Sequence, residues 1–345
     1  MLDWFEENQR CLPWRNETDP YKIWVSEIIL QQTRVNQGWN YYLRFVEHFP
    51  DVQSLAKAPL EEILHLWQGL GYYSRARNMH IAAQQIMNEH LGVFPHNYLE
   101  IRKLKGIGNY TAAAIASIAF TLPYPAVDGN VLRVISRIFG IYDDISQQKT
   151  IQKITLICKK LMDRKNSGNF NQALMELGAI QCTPQKPNCE VCPFRLKCAA
   201  FEKEHVDFMP VKSNKIKIKE RFFHFFIFLK SDETIIEQRT ANDIWKNLYQ
   251  FPLIETKTAC EKIDKTTISK LITGNCQPVF LKEIKHKLTH QHLIIRFYVV
   301  TGFFPELINR WISVSVKELD KYPFPAPLKI IIESTVTRAK SLKLA

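Results

Sequence analysis

Up to about residue 200, apolar residues recur at three- and four-residue intervals, the spacing that gathers them on one face of a helix. The segments that show it are IWVSEIILQQ, LEEILHLWQGL, ARNMHIAAQQIMNEH, TAAAIASIAF, NVLRVISRIFG and FNQALMELGAI. Breaks rich in proline, glycine, aspartate or asparagine separate them, as in HFPDV, GVFPHN and LPYPAVDGN. The pattern predicts an all-helical first domain over residues 1–204.

After about residue 220 the pattern changes to runs of β-branched and aromatic residues, which are typical of strands. RFFHFFIFLK, ETIIEQR and HLIIRFYVV predict strands, WISVSVKELD a last strand, and PLKIIIESTVTRAK a closing helix. The lysine-rich stretch EHVDFMPVKSNKIKIKE predicts an interdomain linker, which we assign to residues 205–219. The predicted fold class is therefore multidomain, an all-α domain followed by an α+β domain over residues 220–345.

Length and composition agree with two soluble domains. The chain has 345 residues, more than one hydrophobic core usually serves, and its 46% hydrophobic and 23% charged residues are typical of globular proteins. No apolar run is long enough for a membrane span, and the acidic, amphipathic start MLDWFEENQR is unlike a signal peptide. We therefore expect a protein of the reducing cytosol. Its formal net charge of +12 favours a polyanionic partner such as nucleic acid.

Half of the eight cysteines lie in one short stretch, CTPQKPNCEVCPFRLKC. Cys182, Cys189, Cys192 and Cys198 follow the spacing C-x6-C-x2-C-x5-C. A reducing cytosol argues against disulfides. Zinc sites usually pair their ligands as two tight knuckles, and only one such pair is present here. The looser spacing favours an iron–sulfur cluster, which is wider than a single ion, and zinc remains the alternative.

A second motif, LKGIGNYTAAAIASIAF, places two glycines directly before a predicted helix. Gly106 and Gly108 let the backbone approach a phosphate closely, and the helix start offers free N–H groups and the positive end of its dipole. An ordinary turn between two helices also needs a glycine. The motif indicates a phosphate site only in combination with the VDGNV segment and the four cysteines that follow it.

The combination of motifs resembles one family. LPWR, PYKIWVSEIILQQT, LWQGLGYYSRARN, GIGNYTA, VDGNVLRV, NQALMELGA and the cysteine loop are similar to segments of the helix-hairpin-helix DNA glycosylases of the endonuclease-III superfamily, and specifically of the MutY-type adenine glycosylases. The resemblance extends over nearly the whole chain. It implies a helix-hairpin-helix glycosylase domain whose four loop cysteines hold a [4Fe–4S] cluster. It also implies that the basic residues of this loop face DNA, namely Lys186, Arg195 and Lys197.

Cleavage of the bond between adenine and deoxyribose requires a proton for the leaving base and stabilisation of a cationic sugar. Two carboxyl groups in contrasting environments meet these needs. Glu27, in the apolar run WVSEIIL, fits the acid because desolvation raises the pKa of a carboxyl group; a solvent-facing helix position is the alternative. Asp128, at a predicted helix start, fits the ionised carboxylate; a simple helix cap is the alternative. The resemblance assigns these two roles to Glu27 and Asp128, with Tyr110 and Asn130 as supporting polar groups.

Position 110 separates two branches of the family. Glycosylases that also cut the strand carry a lysine directly after the hairpin, and its amine forms a Schiff base with the sugar. Tyr110 cannot do this, so the sequence predicts a monofunctional enzyme that uses water. An endonuclease-III-like glycosylase and lyase would lack its nucleophile here. A non-catalytic iron–sulfur DNA-binding protein would need neither carboxylate, and a Nudix pyrophosphatase would need a metal-binding motif that is missing.

Chemistry on a base requires its extrusion from the duplex, and other residues must fill the gap. The resemblance implies that Gln32 and Tyr72 intrude at the orphaned partner base, with Leu30 and Thr33 nearby. Leu70, in the same glycine-rich segment as Tyr72, is a further candidate for contact with DNA. The implied adenine pocket is lined by Trp14, Arg15 and Gln172.

The second domain resembles the Nudix-like domain of MutY proteins, which helps to recognise 8-oxoguanine opposite adenine. We interpret it as a recognition domain, because it lacks the acidic signature of Nudix enzymes. The family's reading loop is a Phe-Ser-His triplet, and the matching residues in IKHKLTHQHL are Leu288, Thr289 and His290. Thr289 keeps a hydroxyl, Leu288 cannot stack as phenylalanine does, and a surface strand position is the alternative for His290. The chain also departs from the family at Lys105, where proline is usual, and in NDIWKNLYQFP, which lacks the usual glycines.

The sequence therefore predicts an adenine DNA glycosylase that removes adenine mispaired with 8-oxoguanine or guanine in base excision repair. The expected partner is double-stranded DNA containing A·8-oxoG or A·G mispairs, and the expected cofactor is a [4Fe–4S] cluster. We expect a monomer in the bacterial cytosol, without membrane association.

Overall fold

The computed structural model describes residues 1–213, 218–259, 271, 277–301, 304–305 and 310–332. The chain forms two compact units, one of Met1–Ala58 and Asn78–Asn214, the other of Pro59–Arg77 and Lys215–Ala345. The predicted fold class, a helical domain and an α+β domain, is confirmed. In the described part of the chain, no helix is both long and apolar enough to cross a membrane.

Six of the helices follow the six segments that the apolar spacing predicts, and the other helices were not among those segments. In chain order they are α1 (Leu2–Asn8), α2 (Pro20–Leu30), α3 (Val35–His48), α4 (Val52–Lys57), α5 (Leu60–Leu66), α6 (Ser74–Glu89), α7 (Tyr98–Lys103), α8 (Asn109–Phe120), α9 (Gly129–Phe139), α10 (Gln148–Leu161), α11 (Ser167–Glu176) and α12 (Ala199–Glu202). A π-helix (Leu177–Gln181) continues α11, and short 3₁₀ turns cover Arg195–Lys197 and Val206–Phe208.

Local signals fix where the helices of the site begin. The carboxylate of Asp19 accepts a hydrogen bond from the N–H of Tyr21 at the start of α2, whose first residue is a proline. Asp128 caps α9 in the same way by accepting from the N–H of Val131, and Gly140 ends that helix at φ 62°. Four of the five alanines of α8 are buried, and their small size lets α8 pack closely against α2 and α11. These contacts bring the end of α2, the start of α8 and the capped start of α9 together around one cleft.

The second unit contains a mixed sheet. Its strands are β1 (Lys219–Lys230), β2 (Glu233–Gln238), β3 (Tyr249–Gln250), β4 (Leu253–Thr256), β5 (Val279–Lys287), β6 (Gln291–Thr301) and β7 (Trp311–Ser315). The strand order is β3-β2-β1-β6-β5, while β4 pairs with β1 and β7 with β2. β1 runs parallel to β6, and the other pairs are antiparallel. The central strand β1 is buried on both faces from residue 223 to 229, which explains its continuous apolar run.

After β7 the chain forms a 3₁₀ helix (Val316–Lys321) and a helix over residues 326–332. This is the start of the predicted closing helix; the remainder of that segment lies outside the described residues, as do residues 214–217 of the predicted linker.

Residues 59–77 are held within the second unit by side-chain hydrogen bonds. The Gln68 amide donates to the carbonyl of Phe324 at 2.7 Å, and the Tyr249 hydroxyl donates to the carboxylate of Glu61 at 2.6 Å. The segment that contains the predicted wedge residue Tyr72 therefore belongs to the same unit as the turn at residues 288–290, which joins β5 to β6.

Candidate active site

One cleft of the first unit, with a volume of about 710 Å³, gathers most of the predicted site residues. Clefts of about 300–1,000 Å³ accommodate ligands of nucleoside size. Its walls come from the end of α2, the start of α8, the cap of α9 and one face of α11. The predicted residues that line it are Trp14, Arg15, Glu27, Leu30, Gln32, Thr33, Gly108, Tyr110, Asp128, Asn130 and Gln172.

Glu27 lies on α2 and faces this cleft. Burial of the carboxyl group among protein atoms raises the pKa of Glu27 to about 7, and the negative charge of Asp128 acts in the same direction. A hydrogen bond with Tyr110 and the charge of Arg15 oppose this rise without cancelling it. A substantial fraction of Glu27 therefore carries a proton at neutral pH. The structure does not place Glu27 on a solvent-facing helix surface, the alternative suggested by its sequence position.

Tyr110 stands in the first turn of α8, near the carboxyl groups of Glu27 and Asp128. Burial and the nearby charges of Glu27 and Asp128 raise the pKa of its phenol well above the usual value, so the hydroxyl stays protonated. The hydroxyl also contacts the sulfur of Met175 at 3.1 Å. Tyr110 is therefore a neutral hydrogen-bonding group beside Glu27.

Asp128 is a helix cap, as one interpretation of its sequence position predicts, and it also lines the cleft. One carboxylate oxygen accepts from the N–H of Val131 at 2.8 Å, and the other from the side-chain amide of Asn130 at 2.7 Å. Burial raises the pKa of Asp128, while these hydrogen bonds and the charge of Arg133 oppose the rise. Asp128 thus accepts hydrogen bonds from two donors that stabilise its anion, whereas burial raises the pKa of Glu27 to about 7.

Arg133, on the next turn of α9, supports Asn130 from behind. Its guanidinium donates to the Asn130 side-chain oxygen at 2.9 Å, to the carbonyl of Gly178 at 2.7 Å and to the carbonyl of Cys182 at 2.8 Å. The cap of α9, the π-helix and the start of the cysteine loop are therefore joined through one buried side chain.

The wall of the cleft formed by Arg15 and Gln172 carries a cluster of charges that the sequence did not reveal in full. Glu176, only 2% exposed, accepts from Arg10 at 2.7 Å and from Arg15 at 2.6 Å. Arg15 also donates to the side-chain oxygen of Gln172 at 2.9 Å. The two arginines hold the pKa of Glu176 below its usual value despite burial. One signal for Glu176 was available, because it lies four residues after Gln172 and so shares its helix face.

Trp14 forms the aromatic part of this wall. Its ring packs edge-on against Tyr42 with a centroid distance of 5.3 Å, and against Trp39 at 6.2 Å. Both partners belong to α3, so the wall is anchored to a neighbouring helix.

The predicted wedge residues of the first unit lie where α2 ends. Gln32 is exposed and adopts φ 57°, a left-handed conformation that turns the chain away from the helix. Leu30 and Thr33 flank it and are partly exposed at the cleft. The sharp turn therefore presents Gln32 at the mouth of the cleft.

Gly106 and Gly108 lie in the turn between α7 and α8, which we call the hairpin. The two positions differ in why they carry a glycine. Gly106 adopts φ 80°, and a Cβ atom there would lie 2.7 Å from the Cβ of Asn78. Gly108 caps α8 with an extended backbone, and a Cβ atom there would meet nothing within 4 Å. Packing within the chain requires a glycine at position 106. At position 108 no neighbouring atom of the chain requires one, and the glycine leaves open space at the start of a helix.

The four loop cysteines are free thiols that line one small cavity, together with Pro187 and Phe194. Arg137, only 2% exposed, donates to the sulfur of Cys182 at 3.4 Å and to the carbonyl of Thr183 at 2.7 Å. Within the described residues, no three His, Cys, Asp or Glu side chains come together as ligands of a single metal ion.

In the second unit, Tyr72 and Thr289 are exposed and their hydroxyl groups are hydrogen-bonded to each other. His290 is exposed in the turn between β5 and β6, so it is a turn residue and not part of a strand. Leu70 is only 6% exposed. Its side chain packs inside the unit, and the expected contact of Leu70 with DNA stays a prediction.

Comparison with known proteins agrees with both units. The model of the HhH-GPD superfamily of base excision DNA repair proteins matches residues 25–160, and the NUDIX domain model matches residues 224–334. A solved structure of a thermostable thymine-DNA glycosylase is similar with a TM-score of 0.54 and 30% identity, covering 59% of this chain and 93% of that chain.

Full-length relatives show the same family. The chain is 35% identical over 341 residues to an adenine DNA glycosylase of Buchnera aphidicola subsp. Schizaphis graminum, which covers 96% of each chain. It is 42% identical over 212 residues to the adenine DNA glycosylase of Homo sapiens, covering 59% of this chain and 39% of the human protein. The chain thus belongs to the adenine DNA glycosylases, enzymes of base excision DNA repair.

Proposed function

We propose that the chain hydrolyses the N-glycosidic bond of adenine paired with 8-oxoguanine or guanine, and that it does not cut the DNA strand. The observation that carries this proposal is the pair Glu27 and Asp128 in one cleft, one with a pKa raised to about 7 and the other surrounded by hydrogen-bond donors. Paired carboxyl groups in contrasting environments divide acid and anionic roles in glycosidic bond cleavage.

Glu27 is the general acid in this proposal. It donates its proton to a ring nitrogen of the adenine, which converts the base into a better leaving group. The neutral hydroxyl of Tyr110 hydrogen-bonds with Glu27 and orients the carboxyl group. Since the acid must be protonated, a pKa of about 7 suits an enzyme that works near neutral pH.

Asp128 stabilises the positive charge that develops on the sugar. Its carboxylate is fixed by the N–H of Val131 and by Asn130, so it needs little reorganisation when the charge appears. Water then completes the hydrolysis. Because residue 110 is a tyrosine, the site offers no amine at the position from which the strand-cutting relatives attack the sugar.

The adenine lies against Trp14, with Arg15, Gln172 and Glu176 around its polar edge. Adenine presents an amino donor and ring nitrogen acceptors, and this wall offers both acceptor oxygens and guanidinium donors. Arg10 completes the wall from outside by neutralising Glu176.

A direct test is single-turnover cleavage of a duplex with one A·8-oxoG pair, divided into two samples. The sample heated in alkali will show a cut strand, because alkali cleaves the DNA backbone at the abasic site that hydrolysis leaves. The untreated sample will show an intact strand. A cut without alkali would contradict the monofunctional mechanism, and no cut in either sample would contradict the proposed substrate.

The hairpin binds a DNA phosphate at the start of α8 in this proposal, and Gly108→Ala tests it. The added methyl group meets nothing in the protein, so the melting temperature should not change. It occupies the space through which a phosphate reaches the helix N–H groups, so affinity for DNA should fall about ten- to hundredfold, as for the loss of a hydrogen bond to a charged group.

Gly106→Ala is the matched control. It should lower the free energy of unfolding, because its Cβ atom would collide with Asn78 at a position with positive φ. Calorimetry and binding titrations of both variants separate the two effects. If Gly108→Ala bound DNA with wild-type affinity, the proposal that a phosphate binds at this helix start would be contradicted.

Lesion recognition by the second unit depends in our proposal on the exposed pair Tyr72 and Thr289, with His290 beside Thr289. In the first unit, we propose that Leu30, Gln32 and Thr33 contact the DNA. Thr289→Val keeps the shape of the side chain but removes its hydroxyl. Excision opposite 8-oxoguanine should fall about two- to tenfold, the value of one hydrogen bond, and excision opposite guanine should hardly change.

Two further variants show whether the hydroxyl of Thr289 acts directly on the lesion or through Tyr72. Thr289→Ser keeps the hydroxyl and should behave as wild type. Tyr72→Phe removes the partner hydroxyl, so an equal loss there would mean that Thr289 acts by holding Tyr72 and not by touching the lesion. Equal losses of the Thr289→Val variant on both mispairs would contradict lesion reading by Thr289.

We also propose that Cys182, Cys189, Cys192 and Cys198 hold a [4Fe–4S] cluster. When bound, such a cluster crosslinks the loop that exposes Lys186, Arg195 and Lys197. Two features support the assignment: the four thiols line a common cavity, and the buried cation Arg137 lies beside them, as a group with net negative charge requires. The spacing of the cysteines favours a cluster over a single zinc ion.

Natively purified protein should therefore be brown and contain about four irons per chain. Metal analysis by mass spectrometry and the absorption spectrum of the same sample provide the measurement. A colourless preparation loaded with zinc would contradict the cluster and show that the four cysteines form a zinc site. The enzyme acts as a monomer on genomic DNA in the bacterial cytosol in this proposal, and sedimentation of the holoprotein tests the first of these statements.

A further inference from the structure

Arg75 is a buried cation at the start of α6, directly after the segment that carries Tyr72. None of the catalytic or binding roles proposed for the chain uses its side chain, although the residue is only 8% exposed. The guanidinium donates to the carbonyl of Gly71 at 3.2 Å and to the carbonyl of Leu70 at 3.3 Å. Its backbone N–H donates to the carbonyl of Tyr72 at 2.9 Å. Arg75 therefore binds three successive peptide groups of one turn.

Arg75 also contacts two aromatic rings of the same segment. Its guanidinium carbon lies 5.2 Å from the ring centre of Trp67 and 5.8 Å from that of Tyr72. Trp67 is fully buried, while Tyr72 is 42% exposed. A guanidinium within about 6 Å of a ring face attracts it, and more strongly where water is excluded. Arg75 thus connects the exposed ring to the interior of the unit.

The backbone of this turn is one that a tyrosine adopts only when it is held. Gly69, Gly71 and Tyr72 have φ values of 99°, 73° and 45°. Glycine tolerates such values, but for a residue with a Cβ atom the left-handed region is unfavourable. The indole N–H of Trp67 donates to the carbonyl of Gly71 at 3.2 Å, so that carbonyl accepts from two fixed donors.

We propose that Arg75 is a positioning residue that fixes the backbone and the ring of Tyr72 in the orientation used for insertion into the duplex. The inference rests on the proposed role of Tyr72 at the orphaned base. Without Arg75, the turn relaxes toward negative φ values, and the ring must be reoriented each time it enters the stack. The loss then falls on the distortion of mispaired DNA and not on general binding to DNA.

Arg77 provides a matched control, since it lies on the same helix and is also partly buried. Its guanidinium donates to the carbonyl of Lys246 at 2.9 Å, and Lys246 lies outside the turn at residues 69–72 that carries Tyr72. Arg75→Lys and Arg77→Lys each keep a positive charge while removing a planar guanidinium. Comparable losses of melting temperature are expected in both, so a difference in DNA distortion separates positioning from stability.

The experiment uses the full-length holoprotein and a duplex with an A·8-oxoG pair and 2-aminopurine next to the 8-oxoguanine, whose fluorescence rises when it is unstacked. Arg75→Lys should lower the amplitude of the fluorescence change and the single-turnover excision rate about tenfold, the loss expected for one hydrogen bond to a charged group. Affinity for an undamaged duplex should stay within about twofold of wild type, since no phosphate contact is lost. Arg77→Lys should behave as wild type in both signals.

The Tyr72→Ala background decides whether Arg75 acts through the ring. There, Arg75→Lys should cause no further loss, because two residues that act as a unit are not additive. A full additional loss in that background, or an equal effect of Arg77→Lys, would overturn the proposal. If Tyr72→Ala alone leaves the fluorescence change intact, the proposed wedge fails instead, and the two failures are distinguishable.

Gly71→Ala is a second variant that leaves Arg75 in place. Its Cβ atom would meet nothing within 4 Å, so the substitution acts only by opposing the positive φ of the turn. It should reproduce the Arg75→Lys phenotype while the protein stays folded. Wild-type fluorescence and excision in folded Gly71→Ala would overturn the proposal even if Arg75→Lys does not fold.

Discussion

Glu27→Gln will bind a duplex with an A·8-oxoG pair as tightly as the wild-type chain and will release almost no adenine. The amide has the size of the carboxyl group and keeps a hydrogen-bonding contact for Tyr110, but it cannot transfer a proton. A general acid typically contributes about 10²–10⁴-fold to the rate, so the single-turnover rate should fall by that factor. Binding titrations and single-turnover cleavage on the same substrate provide the measurement.

Glu47→Gln is the control for this change. Glu47 is exposed on α3, so this variant carries the same chemical substitution outside the cleft. It should leave both measurements unchanged. The pH profile of the wild-type rate gives an independent check. Since the pKa of Glu27 is raised to about 7, its proton is present below that pH, and the rate should decline as the pH rises through 7. Excision by Glu27→Gln near the wild-type rate would remove Glu27 from the role of acid.

The sequence predicts the first unit well because its signals are local. The spacing of apolar residues predicts six of the helices, and the VDGNV segment predicts that Asp128 starts one of them, as the structure confirms. The position of Glu27 in an apolar run predicts a raised pKa, and burial indeed raises it. In each case the neighbours along the chain, or one helical turn away, supply the physical cause.

The contacts that the sequence did not predict join residues far apart in the chain. Arg10 and Arg15 pair with Glu176 across more than 150 positions, and nothing in the NQALMELGA motif specifies these partners. Likewise, the burial of Leu70 depends on packing within the second unit. A residue pattern of period 3.6 shows which face of a helix is covered, but not which element covers it.

Gly178 is a further position that only the three-dimensional structure reveals. It lies in the π-helix that follows α11, and its carbonyl accepts from Arg133. A Cβ atom on Gly178 would lie 2.6 Å from the Cβ of Asn130 and 3.2 Å from its Cα and its backbone oxygen. Atoms of the backbone cannot move aside as the end of a flexible side chain can. The start of α9, and with it Asp128, must therefore shift to admit even one methyl group.

Gly178→Ala should consequently lower the single-turnover excision rate about hundredfold, because displacing a catalytic group by about 1 Å has that cost. Overpacking should also reduce the free energy of unfolding by about 1–3 kcal/mol. Gly168→Ala is the matched control: its Cβ atom would lie 2.9 Å from the backbone oxygen of Ser117, a similar collision that involves neither Asn130 nor Asp128. We expect this control to lose stability but to retain most of its excision rate.

A double-substitution cycle with Asn130→Gly shows whether the effect passes through Asn130. Asn130→Gly removes the Cβ atom with the closest contact and also the amide that donates to Asp128 at 2.7 Å. If Gly178→Ala acts by displacing Asn130, the double variant should be no slower than Asn130→Gly alone, since the two changes remove the same interaction. Independent, multiplying losses would mean that Gly178 acts through another contact, such as its carbonyl with Arg133. A wild-type rate for Gly178→Ala would show that the cap of α9 tolerates the shift, and that the geometry around Asp128 is less demanding than a pre-organised carboxylate requires.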